Sequence, residues 1–319
     1  MVETKRHVPV LLEEAIDFLN IRRGGTYIDC TVGLGGHSFE IAKRLGAQGH
    51  LIGFDKDTNA LRIARERLSN PGPEVMKESP EGIGGWPTVT LIHGSFAEVS
   101  ERAPAGSADG MLADLGVSSL QFDDAARGFS FQAEGPLDMR MNPLGELDAD
   151  QVVNRLDEQT LANVIYEFGE ERRSRRIARA IVRARPLRST AHLAQVVAAA
   201  APAISQAERR IHPATRTFQA IRIYVNRELD DLKRLVGDAP RVLKKGGRLV
   251  VISFHSLEDR IVKDAIREGA HSGLYEVLTK KPVTAKEEEI DRNPRSRSAK
   301  LRAAERAKVG GKSPRYPSL

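Results

Sequence analysis

The feature that most constrains the fold is a strand running into a glycine hairpin and a helix start. It spans Tyr27 to Ser38, Tyr-Ile-Asp-Cys-Thr-Val-Gly-Leu-Gly-Gly-His-Ser. A helix follows from Ser38 to Arg44, and a second apolar strand, His50 to Phe54, ends on Asp55. Strand and helix patterns keep alternating, with a helix over Asp57 to Leu68 capped by Asp57 or Thr58 and strands at Val89 to Ile92 and Gly110 to Ala113. Such alternation predicts a parallel sheet flanked by helices. A helix over Leu11 to Leu19 precedes it. The segment Asn70 to Pro87, with four prolines and four glycines, reads as a loop.

The same hairpin places a small-molecule site near the front of the chain. Glycines let the backbone pass close to a ligand, and a carboxylate at the tip of the next strand can accept hydrogen bonds from two ribose hydroxyls. Two cofactor classes fit this arrangement. A dinucleotide calls for G-x-G-x-x-G, whose third glycine admits a pyrophosphate onto the helix start. Here Ser38 stands at that third position and the glycines are Gly33, Gly35 and Gly36. That spacing is more usual around S-adenosylmethionine, which has no phosphate to cradle. The glycines alone leave both open.

After Arg140 the pattern turns purely helical, with helical periodicity over Asp148 to Ala200 broken at Phe168-Gly169 and Pro186. The alternation then returns: a long helix from Thr215 to Leu235, a turn at Lys245-Gly246-Gly247 and an apolar strand, Arg248 to Phe254. Residues 141–211 are therefore expected to form a helical domain inserted into a sheet domain made of 1–140 and 212–319.

With 319 residues, 40% of them hydrophobic, the chain can bury a full core. No run approaches the roughly 18 apolar residues of a membrane helix, and Met-Val-Glu-Thr-Lys-Arg-His lacks a signal-peptide core, so a cytoplasmic protein is expected. The single cysteine, Cys30, excludes an internal disulfide. The eight histidines are scattered without ligand pairs, so no metal site is expected.

The net charge of +6 is concentrated in two places. Eight arginines lie between Glu170 and Ser189, and Arg172, Arg176, Arg179 and Arg183 recur on one helix face opposite Ile177 and Ile181. From Arg292 to Arg315, nine Lys or Arg stand against Glu305 alone. Solvated helix face and soluble tail are the plain readings of such runs. Two basic segments beside a cofactor site point instead to a polyanionic substrate, because phosphate neutralisation releases counterions.

Ligands of open parallel sheets bind beyond the carboxyl ends of the strands. Those ends supply Asp29, Gly33, Gly35, Gly36 and His37, then Asp55, then His93-Gly94-Ser95-Phe96, and finally Asp114 to Ser119. Phe96 could pack on an adenine face. Amino-group methylation places an acceptor after the fourth strand to orient the target nitrogen, and Asp114 fits, although an aspartate there can equally cap a turn. Cys30 lies on the first strand, away from the substrate side, and reads as a small buried residue. His255 could act as a proton acceptor near neutral pH or cap the helix that follows.

Eight segments in order give the chain a resemblance to the MraW family of ribosomal RNA methyltransferases. They are His7 to Ala15, Gly33 to Ser38, Ala113 to Ser119 with Gln121, Arg127 to Phe131, Gly135 to Met141, Ile211 to Arg222, Ser253 to Arg260 and Arg292 to Arg302. The resemblance implies an α/β fold: a Rossmann-like class I S-adenosylmethionine methyltransferase sheet with the inserted all-helical domain recognising substrate. It implies methyl transfer to the N4 amino group of a cytidine in the decoding region of small-subunit (16S) ribosomal RNA. The family's cofactor contacts fall on Gly35, Gly36, His37, Asp55, Phe96, Asp114 and Gln121, to which the strand-end reading adds Gly33, with Asp114 and His255 as catalytic candidates. Arg172, Arg176, Arg179, Arg222, Arg295 and Arg297 are the candidate RNA contacts. Two departures are visible: a longer Asn70 to Pro87 loop, and Asn142 where the family often has an acidic residue. A DNA amino-methyltransferase is disfavoured because Asp114-Leu-Gly-Val117 lacks a Pro-Pro-aromatic platform. An RNA-binding assembly factor without turnover is disfavoured by intact Gly35, Gly36, Asp55 and Asp114. The partners the resemblance implies are small-subunit ribosomal RNA or the small ribosomal subunit, with a homodimer compatible with the sequence.

Overall fold

The computed structural model describes residues 9–69, 71–72, 85–202 and 212–308. His7 and Ile211 of the motifs, most of the Asn70 to Pro87 loop, and Lys312 and Arg315 lie outside them. The chain divides into two compact units, Met1–Gly116 with Asp230–Leu319, and Val117–Leu229.

In chain order the elements are α1 (Leu12–Leu19), β1 (Thr26–Asp29), α2 (Gly36–Leu45), β2 (His50–Asp55), α3 (Thr58–Ser69), β3 (Thr88–His93), α4 (Val99–Arg102) and β4 (Ala108–Asp114). Next come α5 (Ser119–Asp123), α6 (Ala149–Arg155), α7 (Glu158–Gly169), α8 (Ser174–Ala184), α9 (Thr190–Ala200) and α10 (Thr215–Asn226). The chain closes with α11 (Glu228–Val242), β5 (Leu243–Ser253), α12 (Ser256–His271), β6 (Tyr275–Val277), α13 (Glu287–Arg292) and β7 (Lys300–Arg306).

Among the described residues the strands form one sheet in the order β3-β2-β1-β4-β5-β7-β6. Strands β1 to β5 are mutually parallel, so their carboxyl ends share one edge, while β7 runs antiparallel to both β5 and β6. Successive side chains of a strand point to opposite faces, and both faces here are apolar. Ile28, Phe54, Met111 and Val251 enter one core, with Leu232 and Leu235 of α11 and Val262 of α12. Tyr27, Leu51, Leu112 and Val250 enter the other, with Ile16 of α1 and Ile41 of α2. Each such side chain, removed from water, contributes roughly 1.5–3 kcal/mol before entropy is set against it.

The helical unit has its own core, from Val152, Leu161, Ile165, Ile177, Ile181 and Leu193. It starts at Val117 and ends at Leu229, wider than the expected 141–211. The reason is that Phe129, Leu137 and Met139, in non-helical chain ahead of α6, belong to that core. The single helix expected from Thr215 to Leu235 is two helices, since Arg227 adopts a left-handed backbone with φ 53°. Asn226 just before it donates to Met139 O at 2.8 Å and accepts from Met141 N at 2.7 Å. Within the described part of the basic run after Arg292, Lys300–Arg306 is strand β7, with Leu301, Ala303 and Ala304 fully buried.

Candidate active site

The site candidates of the sheet unit gather at the carboxyl edge of β1, β2, β3, β4 and β5. After β1 the chain turns through Gly33 and Gly35, at φ 53° and 76°, values that favour glycine. A Cβ on Gly33 would find its nearest neighbour, Thr31 O, 3.9 Å away, leaving open space over this turn. Gly36 is required for a different reason. A side chain there would collide with Pro9, so the N-terminal segment packs against the hairpin. His37, buried at the start of α2, has Nε2 3.1 Å from Val10 O. Because a carbonyl only accepts, Nε2 carries the proton, and Nδ1 is left 3.6 Å from Asp114 Oδ2.

The carboxylates are the chemically distinctive part. Asp55 closes the hairpin: its Oδ2 accepts from Gly33 N at 2.7 Å and its Oδ1 from Asp57 N at 2.8 Å. Burial pushes its carboxyl up to about 6 despite those two donors. Each oxygen keeps a second acceptor site. Asp29, at the end of β1, is fully buried, accepts from Ser38 Oγ at 2.6 Å and is likewise raised to about 6 by burial. Asp114 ends β4, and its backbone N–H donates to Thr31 Oγ1 at 2.6 Å. Its Oδ1 is buried and has no hydrogen-bond partner among the described residues. Burial first, then the nearby charges of Asp29 and Glu258, hold its carboxyl well above the usual range.

His255 is the cap of α12. Its Nδ1 accepts from Glu258 N at 3.4 Å, while Glu258 Oε2 accepts from Phe254 N at 2.8 Å. The ring's lone pair is thereby spent on the helix start. Its Nε2 lies 3.1 Å from Glu258 Oε1, without hydrogen-bond alignment. Phe96 begins a helical turn, partly buried against the core, and Ser95 Oγ caps that turn at Ala97 N, 3.1 Å away. Cys30 is buried beneath, its thiol pushed well up by burial, and so stays neutral.

Gln121 and most of the candidate RNA contacts belong to the helical unit. Gln121 is buried and forms a capping box with Ser118 at the start of α5. Arg176 and Arg179 lie exposed on α8 opposite buried Ile177 and Ile181, but Arg172 precedes the helix. Arg222 is engaged elsewhere: its guanidinium grips Glu228 at 2.8 and 2.9 Å. Arg295 and Arg297, in the sheet unit, sit on the turn Pro294–Ser298, with Arg297 exposed. Two side chains escaped the sequence reading. Glu258 is nearly fully buried, and its signal was the spacing of His255 and Glu258, a polar cap followed three residues later by an acid. Asp231 accepts from Ser95 Oγ at 2.6 Å and pairs with Lys56 at 2.6 Å, bracing the ends of β2 and β3, and carries no local signal.

The open turn over Gly33, the spare acceptor sites of Asp55 and the unpartnered Asp114 Oδ1 suit a nucleoside with hydroxyl and amino donors. S-Adenosylmethionine has both. Among the described residues no group of three potential metal ligands occurs, and no helix is long and apolar enough to cross a membrane.

Comparison with known proteins agrees with this chemistry. The pattern of the MraW methylase family matches residues 4–307. The chain is 70% identical over 305 residues to the Ribosomal RNA small subunit methyltransferase H of Koribacter versatilis, covering 96% of this chain and 95% of that one. It is 63% identical over 305 residues to the protein of the same name from Acidobacterium capsulatum, covering 96% of this chain and all of the relative.

Proposed function

The chain belongs to the MraW methylase family, S-adenosylmethionine-dependent methyltransferases, and on that premise we propose that it methylates the N4 amino group of a cytidine in the decoding region of small-subunit ribosomal RNA. The relatives' names supply the RNA, and the observation that carries the choice of an amino group is Asp114. A buried carboxylate oxygen without a donor, at the end of the fourth strand, is a place for an exocyclic N–H.

The cofactor supplies an electrophilic methyl group, and the protein's task is to make a poor nucleophile meet it. The N4 lone pair of cytosine is delocalised into the ring, so orientation and charge stabilisation dominate. In this reading Asp114 Oδ1 accepts one N4 hydrogen and turns the nitrogen lone pair toward the methyl. As N4 gains positive charge, that hydrogen bond strengthens, and the carboxylate is the nearest acceptor for the proton N4 sheds. His37, its Nε2 donating to Val10 O, presents the Nδ1 lone pair 3.6 Å from the other carboxyl oxygen, where it favours a proton on that oxygen once Asp114 takes one up. His255 acts as a positioning residue, holding Glu258 and the start of α12.

The helical unit is assigned substrate recognition, with Arg176 and Arg179 of α8 toward RNA phosphates, in the cytoplasm where ribosomal subunits are made. Incubation with small-subunit RNA and labelled cofactor, followed by nucleoside mass spectrometry, tests the reading. N4-methylcytidine is expected. A 5-methylcytidine product, or labelling lost in Cys30→Ser, overturns it.

A further inference from the structure

We propose that a second nucleotide of the RNA substrate, away from the target base, seats in a cavity at the far edge of the sheet. The cavity, of about 560 Å³, is lined by α12 from Lys263 to His271, by β6 and the chain after it, and by Arg302 of β7. Its lining sorts into two chemistries. Ile266, Ala270, Val277 and Pro282 give an apolar floor, with Val277 40% exposed. Lys263, Arg267, Lys280 and Lys281 give an exposed cationic rim, and no carboxylate lines the cavity.

The charges are not neutralised from behind. Asp264 lies 3.8 Å from Lys263 and 3.3 Å from Arg267, one acid between two bases. Arg302 is committed to Asp259 at 2.6 and 3.2 Å, which fixes its guanidinium as a wall. Lys280 and Lys281 make no ion pair among the described residues. A site with an apolar floor and an unbalanced cationic rim complements a ligand with a flat apolar face and a fixed negative charge. A nucleotide within an RNA strand is such a ligand: base on the floor, flanking phosphates on the lysines.

The place in the fold separates this cavity from the methyl-transfer site. Strand β6 ends the sheet order, four strands from β1, which at ordinary interstrand spacing is on the order of 20 Å. The lining residues of α12 run from its middle, Lys263, to its last residue, His271, away from the carboxyl edge. An RNA held here would be anchored at a distance from its reacting base, adding affinity and register without touching the chemistry.

The inference rests on the proposed RNA substrate, and the test separates the two. Full-length Lys280→Ala/Lys281→Ala and, separately, Val277→Asp are compared with wild type for binding of small-subunit RNA across a salt series, without turnover. The lysine pair is expected to weaken RNA binding about tenfold near 0.1 M salt and to make the log–log salt slope shallower by about 1.5. Val277→Asp is expected to weaken binding as well, while cofactor affinity by calorimetry and kcat at saturating RNA stay at wild-type values. RNA affinity and salt slope unchanged in both variants would overturn the inference. So would variants that bind naked RNA normally but lose affinity for assembled small subunits, since the occupant would then be a ribosomal protein. Wild-type protein that binds RNA yet does not methylate it would sink the activity alone, and the cavity is still judged by binding.

Discussion

The carboxylate of Asp55 accepts a backbone N–H on each oxygen, yet burial holds its pKa near 6, so its charge depends on what else donates to it. Ribose hydroxyls that use its remaining acceptor sites favour the charged form. The free protein must then lose a proton from Asp55 to bind cofactor below about pH 6. Calorimetry should find S-adenosylmethionine affinity level above pH 7 and about tenfold weaker at pH 5, with the dependence abolished in Asp55→Asn. Asp55→Ala removes the hairpin clasp as well as the ribose acceptor and should weaken binding by roughly 1–3 kcal/mol at pH 7.5. Unchanged affinity would reduce Asp55 to a turn residue. Asp114→Asn keeps the shape of the strand end but presents an amide to the substrate amino group. Single-turnover rates should fall steeply while RNA affinity is nearly kept, whereas Cys30→Ser, in a buried and neutral position, should turn over like wild type.

At the level of elements, α8 tests whether a basic stripe reads RNA. Its apolar side is spent on the helical unit's core, and its exposed arginines have little structural work beyond an ion pair between Arg179 and Glu158 at 3.3 Å, both well exposed. Arg176→Ala/Arg179→Ala, with Arg172→Ala added, should therefore leave thermal stability and cofactor affinity unaltered. RNA binding should weaken and its salt slope flatten, and a slope that does not move would return α8 to a solvated face. Elements with strong periodicity were legible from sequence: β1, β2, the hairpin glycines, α8 and the apolar strand β5. Where tertiary partners set the backbone, the sequence was silent. The break at Arg227 is fixed by Asn226 bonding to Met139 and Met141, far away in the chain. Strand β7 hid inside a basic run because Leu301, Ala303 and Ala304 are too few apolar residues to announce it. The carboxyl-edge candidates after β1 to β5 were readable from strand ends. That Arg222 is bound to Glu228 was not, since a paired charge cannot be told from a free one in sequence; of the two roles open to His255 there, the cap is the one the fold uses.

The whole molecule stores an electrostatic cost at the carboxyl edge of its sheet, and pH exposes it. Asp29 titrates near 3.8 in an unfolded chain and near 6 when folded, because burial outweighs the Ser38 and Thr31 hydrogen bonds. Between those values the folded state holds a proton that the unfolded chain has released. Stability contributed by this group is therefore full below about pH 4 and is lost as pH rises through 6. A displacement of about two pKa units corresponds to at most ~3 kcal/mol. Asp29→Asn, which can still accept from Thr31 N, escapes that loss. Chemical denaturation of the apo protein should therefore show the variant gaining on wild type by up to ~3 kcal/mol between pH 4.5 and pH 8, most of it by pH 7. The same substitution leaves alone the opposite trend from Asp138 and Asp259, whose arginine partners keep their pKa values low and whose contribution disappears only in stronger acid. A difference curve flat with pH would mean that Asp29 is ionised at no cost in the fold. In that case Asp29 would be charged throughout the working range, and its charge would act in full beside burial and Glu258 in raising the Asp114 carboxyl, and with it the readiness of that carboxyl to hold the proton shed by a methylated amino group.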